Sequence, residues 1–431
     1  MHFCILFAKA INQIYANGVF NVAGLLRVFG IFFFLLVIGG CNVINVLKLR
    51  SANDDVVPTW SATGDHFPIK TDYIGEKVFI YGSINGVEGF KFLVDTGASF
   101  TILYDTPKVK SLGLQKGYEL GLAGWGDEDK SLGHQISMRS FSFGDLKVEQ
   151  FQGAFIQMSE TPYFASPDEL IYDGVVGHDL MRHFIWTFDY QAKQVIVANV
   201  PFAPKKSTQA LPFDTFMSKI SVEAKFDFGN GHVIDHDVII DNGSRHYFKL
   251  SSAYPESNDV ELPTQVTAAD FGLSGKAEHQ RITLPSITLG DIKLNKVRTN
   301  IIEHDDEDEM WVIGNGIFNQ FVTTVDYQTE TLYLTPYEGH EFQSRYNLMG
   351  LEVRKLLSGN YIVRYVMPDL PAKHAGLKAG DIIAQVNGVE AKNISKDQWL
   401  TMSNTPASYE ICLASSQCVR LQSEHIEGYS R

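Results

Sequence analysis

FLVDTGAS, residues 92–99, puts an aspartate directly after three apolar residues and two residues before a glycine. A carboxylate at the end of such a strand is costly to bury unless it is hydrogen-bonded, neutralised or shares a proton. Gly97 allows the backbone to turn sharply and to approach a partner closely. The stretch therefore predicts that Asp95 is a functional carboxylate at the end of a buried β-strand.

A second copy of this pattern lies 146 residues further along, as VIIDNGS at residues 238–244. The same offset relates Gly144-Asp145 to Gly290-Asp291. The two copies occupy residues 66–203 and 207–337, and a repeat of this size is the signature of a duplicated structural unit. The duplication predicts that Asp95 and Asp241 occupy equivalent positions and meet at one site between two lobes.

Each copy closes with a similar segment, GVVGHDLMRHF in the first and WVIGNGIFNQF in the second. Alternating apolar residues dominate both copies, and a short helical stretch is expected after Gly177 and after Gly314. Each copy is therefore predicted to form a small closed or folded β lobe.

Two aspartates held together cannot both ionise easily, so they share one proton and titrate as a pair. The ionised member can take a proton from water while the protonated member polarises a carbonyl group. This chemistry hydrolyses an amide with neither metal nor cofactor, and no metalloprotease, nucleotide-binding or serine-hydrolase motif is present. The expected substrate is a polypeptide.

These motifs resemble those of the bacterial retropepsin-like and pepsin-like aspartyl proteases. The resemblance implies an all-β, bilobed double β-barrel in which Asp95 and Asp241 are catalytic and the catalytic unit is a monomer. It further implies that the residues beside the two aspartates support the pair. They are Thr96, Gly97, Asn242 and Gly243.

Asn242 departs from the family pattern, which has Thr or Ser at this position to hydrogen-bond across to the opposite loop. Asn can donate and accept hydrogen bonds, but it is longer and planar. Nearby positive charge from Arg245 and His246 would lower the pKa of Asp241 and oppose proton sharing. Two interpretations remain: an active endopeptidase, or an inactive protease-like scaffold that binds peptides.

The segment GLAGWGDEDKSLG, residues 121–133, is a candidate flap over the substrate. Its glycines, Gly124 and Gly126 among them, suit a moving lid, and Trp125 could close over a bound peptide. An ordinary long hairpin with a partly buried Trp125 is the alternative interpretation.

The region after Pro336 does not repeat the lobe pattern. It resembles a bacterial PDZ domain, through Pro371-Ala372, the segment AGL at residues 375–377, Gly380-Asp381 and the segment VNG at residues 386–388. The resemblance implies that Gly350-Leu351 binds a peptide C-terminus, or an internal strand, at a sheet edge. The alternative is a groove filled by the protein's own chain.

The N-terminus carries Arg27, then an apolar run over residues 28–40, then Cys41. Residues 38–41 resemble a bacterial lipobox, so residues 1–40 are predicted to be a lipoprotein signal peptide and Cys41 the lipidated residue. An uncleaved helical anchor is the alternative. Either interpretation exports the protein, and we expect it in the bacterial cell envelope facing the periplasm, with the outer membrane favoured over the inner.

The net charge of −14 argues against a nucleic-acid partner, which requires basic patches. Cys412 and Cys418 flank a predicted hairpin turn, so an oxidising compartment would allow them to pair; two reduced, buried cysteines are the alternative. The predicted domains are a signal peptide (1–40), a tether (41–65), two protease lobes (66–205 and 206–338) and a PDZ domain (339–431).

Overall fold

The computed structural model describes residues 42–61, 63–122, 124–126, 131–157 and 171–430. The chain divides into two compact units, Met1–Lys48 and Leu49–Arg431. Residues 42–51 are helical (α1), and none of the helices within the described ranges is long and apolar enough to cross a membrane. The predicted signal peptide and Cys41 lie outside these ranges, so the lipid anchor stays a prediction.

The first copy of the repeat forms a nine-stranded sheet in the order β1-β9-β6-β10-β5-β4-β8-β7, with β3 paired to β4. Pairing of β8 with β9 closes this sheet into a barrel. Its strands are β1 (Thr59–Trp60), β3 (Thr71–Ile74), β4 (Lys77–Ile84), β5 (Val87–Val94), β6 (Ile102–Tyr104), β7 (Lys116–Leu122), β8 (Ser131–Phe143), β9 (Leu146–Ile156) and β10 (Gly174–Val176). The helices of this copy are α2 (Pro107–Lys110) and α3 (His178–Met181).

The second copy forms an equivalent eight-stranded sheet, in the order β14-β15-β16-β21-β17-β20-β19-β18. Here β15 pairs with β19 and closes the barrel. Its strands are β14 (Asp214–Phe216), β15 (Lys219–Gly229), β16 (His232–Asp241), β17 (Phe248–Ser251), β18 (Val266–Gly272), β19 (Gly275–Leu289), β20 (Ile292–Ile302) and β21 (Val312–Gly314). The helices of this copy are α4 (Ala253–Ser257) and α5 (Asn315–Phe318).

A six-stranded sheet joins the two copies, in the order β13-β23-β22-β11-β12-β2. Its central pair is antiparallel and brings Thr187 of the first copy opposite Thr324 of the second, with their hydroxyl oxygens 2.8 Å apart. The two lobes therefore share a β-sheet. Its strands are β2 (His66–Ile69), β11 (Ile185–Asp189), β12 (Gln194–Ala198), β13 (Gln209–Pro212), β22 (Phe321–Asp326) and β23 (Thr331–Pro336).

The C-terminal region forms a separate six-stranded sheet in the order β24-β25-β26-β28-β29, with β27 paired to β26. Strand β24 lies at the edge of this sheet. The elements are β24 (Leu351–Lys355), β25 (Tyr361–Val366), α6 (Pro371–His374), β26 (Ile382–Val386), β27 (Val389–Glu390), a 3₁₀ turn (Ala391–Asn393), α7 (Lys396–Ser403), β28 (Ser408–Leu413) and β29 (Cys418–Gln422).

Local sequence explains many of these strands. Asn85-Gly86 and Asn230-Gly231 connect the hairpins β4–β5 and β15–β16, and all four residues have positive φ, which Asn and Gly tolerate best in a two-residue turn. Burial alternates along β15, as expected for a strand with one face on the core. The short helices predicted after Gly177 and Gly314 are present.

One continuous hydrophobic core runs through both lobes and the joining sheet. The C-terminal region has its own core around Tyr361 and Trp399. A smaller cluster, formed by Val266, Ala268, Met367, Leu370 and Tyr429, packs the C-terminal region against the second lobe. The structure confirms the predicted all-β, bilobed architecture followed by a small C-terminal domain.

Substitution of Phe226 tests the assigned hydrophobic core of the second lobe. Its ring is fully buried, stacks on Phe248 at 4.7 Å and meets Trp311 edge-on at 4.9 Å. We expect Phe226→Ala to lower the free energy of unfolding by about 4 kcal/mol, because it removes buried area and leaves a cavity. Urea denaturation followed by tryptophan fluorescence measures this.

Phe216→Ala is the matched control, because Phe216 is 78% exposed and its loss should change stability by less than about 0.5 kcal/mol. Equal effects of the two substitutions would contradict the assigned core.

Candidate active site

Asp95 directly follows β5 and Asp241 is the last residue of β16, and each of these strands runs parallel to a Gly-containing segment. Val94 pairs with Val176, and the Asp95 N–H donates to the Val176 carbonyl at 3.0 Å. In the second lobe Asp241 pairs with Gly314. The two closing segments of the repeat thus support the two aspartate loops in the same way.

The two loops lie face to face. A Cβ added to Gly97 would lie 2.7 Å from Cγ of Asp241, and one added to Gly243 would lie 2.1 Å from Cγ of Asp95. Each glycine N–H also donates to the aspartate of its own loop, at 2.8 Å for Gly97 and 3.1 Å for Gly243. Only glycine leaves room at both positions for the opposing carboxylate.

Thr96 and Asn242 connect the loops. The Thr96 hydroxyl donates to the Ile240 carbonyl at 2.9 Å and accepts the Asn242 N–H at 3.0 Å. In the opposite direction, Oδ1 of Asn242 accepts the Thr96 N–H at 2.9 Å. All of these groups are buried, so the three bonds fix the separation of the two loops.

Asn242 does not fully replace the hydroxyl that the resemblance implies. Its oxygen accepts a cross-loop bond, but its Nδ2 is buried and lies beside the Tyr190 hydroxyl without the geometry of a regular hydrogen bond. A hydroxyl at this position could both accept and donate, as Thr96 does. The amide therefore keeps the loops together with one buried donor unsatisfied.

We predict that Thr96→Val, which keeps the shape but removes the hydroxyl, will destabilise the protein by about 2 kcal/mol. The loss leaves the Asn242 N–H and the Ile240 carbonyl unpaired in a buried site. Thr215→Val, on an exposed strand position, is the matched control in urea denaturation. The cross-loop account would be wrong if the two variants were equally stable.

Asp95 is the member of the pair that holds a proton more tightly. Burial and then the neighbouring Asp241 carboxylate raise the pKa of Asp95 to about 7. Lys219, Lys77 and the Gly97 N–H act in the opposite direction but do not overcome these effects. Asp95 is therefore the protonated carboxyl in mildly acidic solution.

Asp241 differs from Asp95 in its surroundings. Burial by itself raises the pKa of Asp241, but neighbouring cations outweigh burial and hold this pKa below its ordinary value; they are His246, Lys249, Lys219 and Lys77. Burial lowers the pKa of His246 to about 3, so near neutral pH the lysines supply the positive charge. The pair is thus polarised, with Asp241 ionised and Asp95 protonated.

The candidate flap is the hairpin β7–β8, and its tip reaches the second lobe. The Trp125 carbonyl accepts the Ser274 N–H at 2.9 Å, and Gly124 N–H donates to the Ser274 hydroxyl at 3.2 Å. A Cβ on Gly126 would lie 2.0 Å from the Ser274 carbonyl oxygen. Residues 127–130 of the segment lie outside the described residues.

Sequence reasoning missed two elements here. The first is an equivalent hairpin of the second lobe, β18–β19, whose tip at residues 272–275 contacts Trp125. The sequence feature that could have indicated this hairpin is the pair of glycines in FGLSG. The second is Lys249, which is buried on β17 with Nζ 3.9 Å from the centre of the Trp125 ring. A single lysine between Phe248 and Leu250 is its sequence signal.

Gly350 and Leu351 lie at the start of the edge strand β24. Gly350 has a φ of 81°, and its N–H donates to Oδ1 of Asn347 at 3.0 Å. Nζ of Lys396, at the start of α7, donates to the Val353 carbonyl of the same strand at 2.9 Å. The predicted groove is therefore bounded by β24 and α7, with one of its backbone acceptors engaged by a lysine.

The turn between β3 and β4 also contacts α7. The Gly75 N–H donates to Oδ1 of Asp397 at 2.9 Å, and a Cβ on Gly75 would lie 2.5 Å from the Lys396 side chain. Elsewhere in the C-terminal domain, Cys412 and Cys418 face each other across β28 and β29 and form a disulfide.

A family model described as "Aspartyl protease" matches residues 80–180, and one described as "PDZ domain" matches residues 342–414. The chain contains an aspartyl protease domain and a C-terminal PDZ domain. The first match includes Asp95 but ends before the second copy and Asp241. The predicted resemblance to aspartyl proteases and to PDZ domains is confirmed at this level, and bacterial origin stays a prediction.

Among solved structures, the chain is similar to an aspartic proteinase from Irpex lacteus, at 14% sequence identity and a TM-score of 0.42. The similarity covers 63% of this chain and 98% of that one. No curated protein sequence matches the chain. Within the described residues, no group of three or more His, Cys, Asp and Glu side chains is arranged to hold a metal ion.

Proposed function

We propose that the protein is an aspartic endopeptidase whose catalytic pair is Asp95 and Asp241. The observation that carries the proposal is the polarised pair itself: two carboxyl groups from duplicated loops, each beside the glycine of the other, with pKa values moved in opposite directions. Opposed pKa values in a tightly held pair are what general acid–base catalysis requires.

In this mechanism, ionised Asp241 takes a proton from a water molecule held between the two carboxyl groups. The water oxygen attacks the scissile carbonyl carbon, while protonated Asp95 donates its proton to the carbonyl oxygen. Collapse of the tetrahedral intermediate breaks the C–N bond, and the proton held by Asp241 passes to the departing amine. Asp95 recovers its proton from the hydroxyl of the intermediate, so the pair returns to its starting charge.

The two hairpin tips supply the lid in this proposal. Trp125 and Ser274 are hydrogen-bonded across the lobes, so a substrate enters when this contact opens, and closure excludes water from the carboxyl pair. Gly124 and Gly126 permit the close approach of the tips. In the closed lid, Trp125 lies against Lys249 and covers the Asp241 side of the site.

The test is cleavage of an unfolded protein substrate between about pH 3 and about pH 8. Activity requires Asp241 ionised and Asp95 protonated. Because neighbouring cations lower the pKa of Asp241 and the pKa of Asp95 is raised to about 7, we expect activity in mildly acidic solution, lost as the pH rises through about 7 and also lost in strong acid. Cleavage products are followed by gel electrophoresis and mass spectrometry.

Asp95→Asn and Asp241→Asn should each reduce cleavage by at least about a thousandfold, since each removes one partner of the acid–base pair. Asp227→Asn, a change at a carboxylate that contacts Ser286 outside the site, is the matched control. A parent protein that cleaves nothing would favour the inactive peptide-binding scaffold. Cleavage that survived Asp95→Asn would overturn the mechanism.

For the PDZ domain we propose that the edge of β24 binds polypeptide ends, with the loop at Gly350-Leu351 receiving the terminal carboxylate. An edge strand flanked by a helix is suited to strand addition. Binding requires Nζ of Lys396 to leave the Val353 carbonyl so that the ligand backbone can take its place. The protein's own turn at Gly75 lies beside α7 and restricts one end of the groove.

A peptide with a free C-terminus should bind at least about tenfold more tightly than its amide, measured by calorimetry. Gly350→Ala should abolish this preference, because its Cβ would lie 2.6 Å from the Leu370 side chain. Gly376→Ala is the matched control: its φ of 82° imposes similar strain, but no atom lies within 4 Å of the added Cβ. Equal affinity for acid and amide would overturn this role.

A further inference from the structure

The surroundings of the carboxyl pair are basic although the chain as a whole carries a net charge of −14. Lys77, Lys219 and Lys249 act on the carboxyl pair, and Arg245 and Arg364 act on Lys77. We name Lys77, Arg245, Lys249 and Arg364 the cleft cations. They come from the first lobe, the second lobe and the PDZ domain. Among the described residues, none of their side chains forms a hydrogen bond or an ion pair with a carboxylate.

Lys249 is the most enclosed of the four. Lys249 as a whole residue is only 7% exposed, and its Nζ lies against the face of the Trp125 ring in the flap tip. Asp241 and Asp95 are the negative charges that act on it, together with Asp270. Lys249 therefore contacts the flap tip and is also under the influence of the charges of the carboxyl pair.

Arg364 forms the PDZ side of the cleft. Its guanidinium carbon lies 3.9 Å from the centre of the Phe271 ring, in the second-lobe hairpin. Its Nε is buried and has no hydrogen-bond partner among the described residues. The charges of Arg245 and Arg364 act on Lys77, as do those of Asp95 and Asp241, and the same two aspartates act on Lys249.

Among the residues that the structure describes, the nearby acids outside the pair are already engaged. Asp270 and Glu352 both bind Arg281, at 2.8 and 3.4 Å, and Glu76 binds Arg345 at 3.0 Å. Burial lowers the pKa of Lys77 to about 8, and repulsion from Arg245 adds to this. Enclosed cations without anionic partners are costly, and a bound carboxylate would remove much of that cost.

We propose that the cleft selects extended polypeptide segments with Asp or Glu side chains beside the scissile bond, with Lys249 as the principal contact for the carboxylate. The proposal rests on the endopeptidase function and names its substrate class. The alternative role of the cleft cations is to adjust the pKa values of the pair without any effect on substrate choice. The two roles differ in their effect on Glu versus Gln peptides.

The first test measures binding without turnover. Asp95→Asn mimics the protonated carboxyl, so it preserves the charge of the pair while preventing cleavage. Two acetylated and amidated fluorescent peptides that differ only by Glu or Gln next to the scissile bond are compared by anisotropy. We expect the Glu peptide to bind at least about tenfold more tightly, as for an enclosed charge-assisted contact.

Adding Lys249→Met should reduce this preference to within about twofold, and Arg364→Met tests the PDZ side if the first variant folds poorly. Lys225→Met is the matched control, because Lys225 is exposed and paired with Asp235; it should retain the full preference. Equal binding of the two peptides, or binding of neither, would overturn the proposal.

The second test is kinetic. In the parent protein, kcat/KM for the Glu peptide should exceed that for the Gln peptide, and Lys249→Met should erase the ratio. The contrary outcome is that Lys249→Met shifts the pH profile equally for both peptides and leaves the Glu-to-Gln ratio of kcat/KM unchanged. That result would show that Lys249 only adjusts the pKa values of the carboxyl pair, and it would overturn the proposal. Selective binding by Asp95→Asn with no cleavage by the parent would uphold the ligand class while the endopeptidase function failed.

Discussion

The hydroxyl group of Thr96 is the contact on which the site depends. It donates to the second loop at the Ile240 carbonyl and accepts from it at the Asn242 N–H, so one oxygen atom fixes both the distance and the orientation of the two loops. The glycines beside the aspartates then leave space for the opposing carboxyl groups. Without this contact the shared sheet would still hold the lobes together, but of the three bonds between the aspartate loops only the one from the Thr96 N–H to Oδ1 of Asn242 would remain.

Duplication produced two similar loops, and their surroundings have made them unequal. The first loop buries Asp95 beside the Asp241 carboxylate and keeps the hydroxyl that joins the loops. The second replaces that hydroxyl with an amide and surrounds Asp241 with Lys249 and His246. Because burial raises one pKa and cations lower the other, the pair has a built-in direction of proton transfer. Asn242 is thus compatible with a pair in which the two acids have different roles.

Much of this arrangement follows from local sequence. An apolar run ending in Asp-x-Gly specifies a strand and a tight loop within a few residues, so both aspartate loops and the repeat could be predicted. Lys249 could not, because its significance depends on Trp125, which lies on another lobe, and on burial that only the fold creates. The second hairpin tip was missed for a related reason: the contact of residues 272–275 with Trp125 exists only after both barrels close. Arg364 belongs to a different domain altogether.

The PDZ domain is joined to the lid as well as to the protease body. Glu352 on β24 binds Arg281, which also binds Asp270 in the β18–β19 hairpin, and Arg364 lies on Phe271 of the same hairpin. Met367 and Leu370 pack on Val266 at its base. Opening of this hairpin must therefore disturb contacts made by the strand that forms the PDZ groove. If the hairpin opens and β24 binds a ligand as proposed, the reciprocity of coupling between two sites requires each event to change the free energy of the other by the same amount.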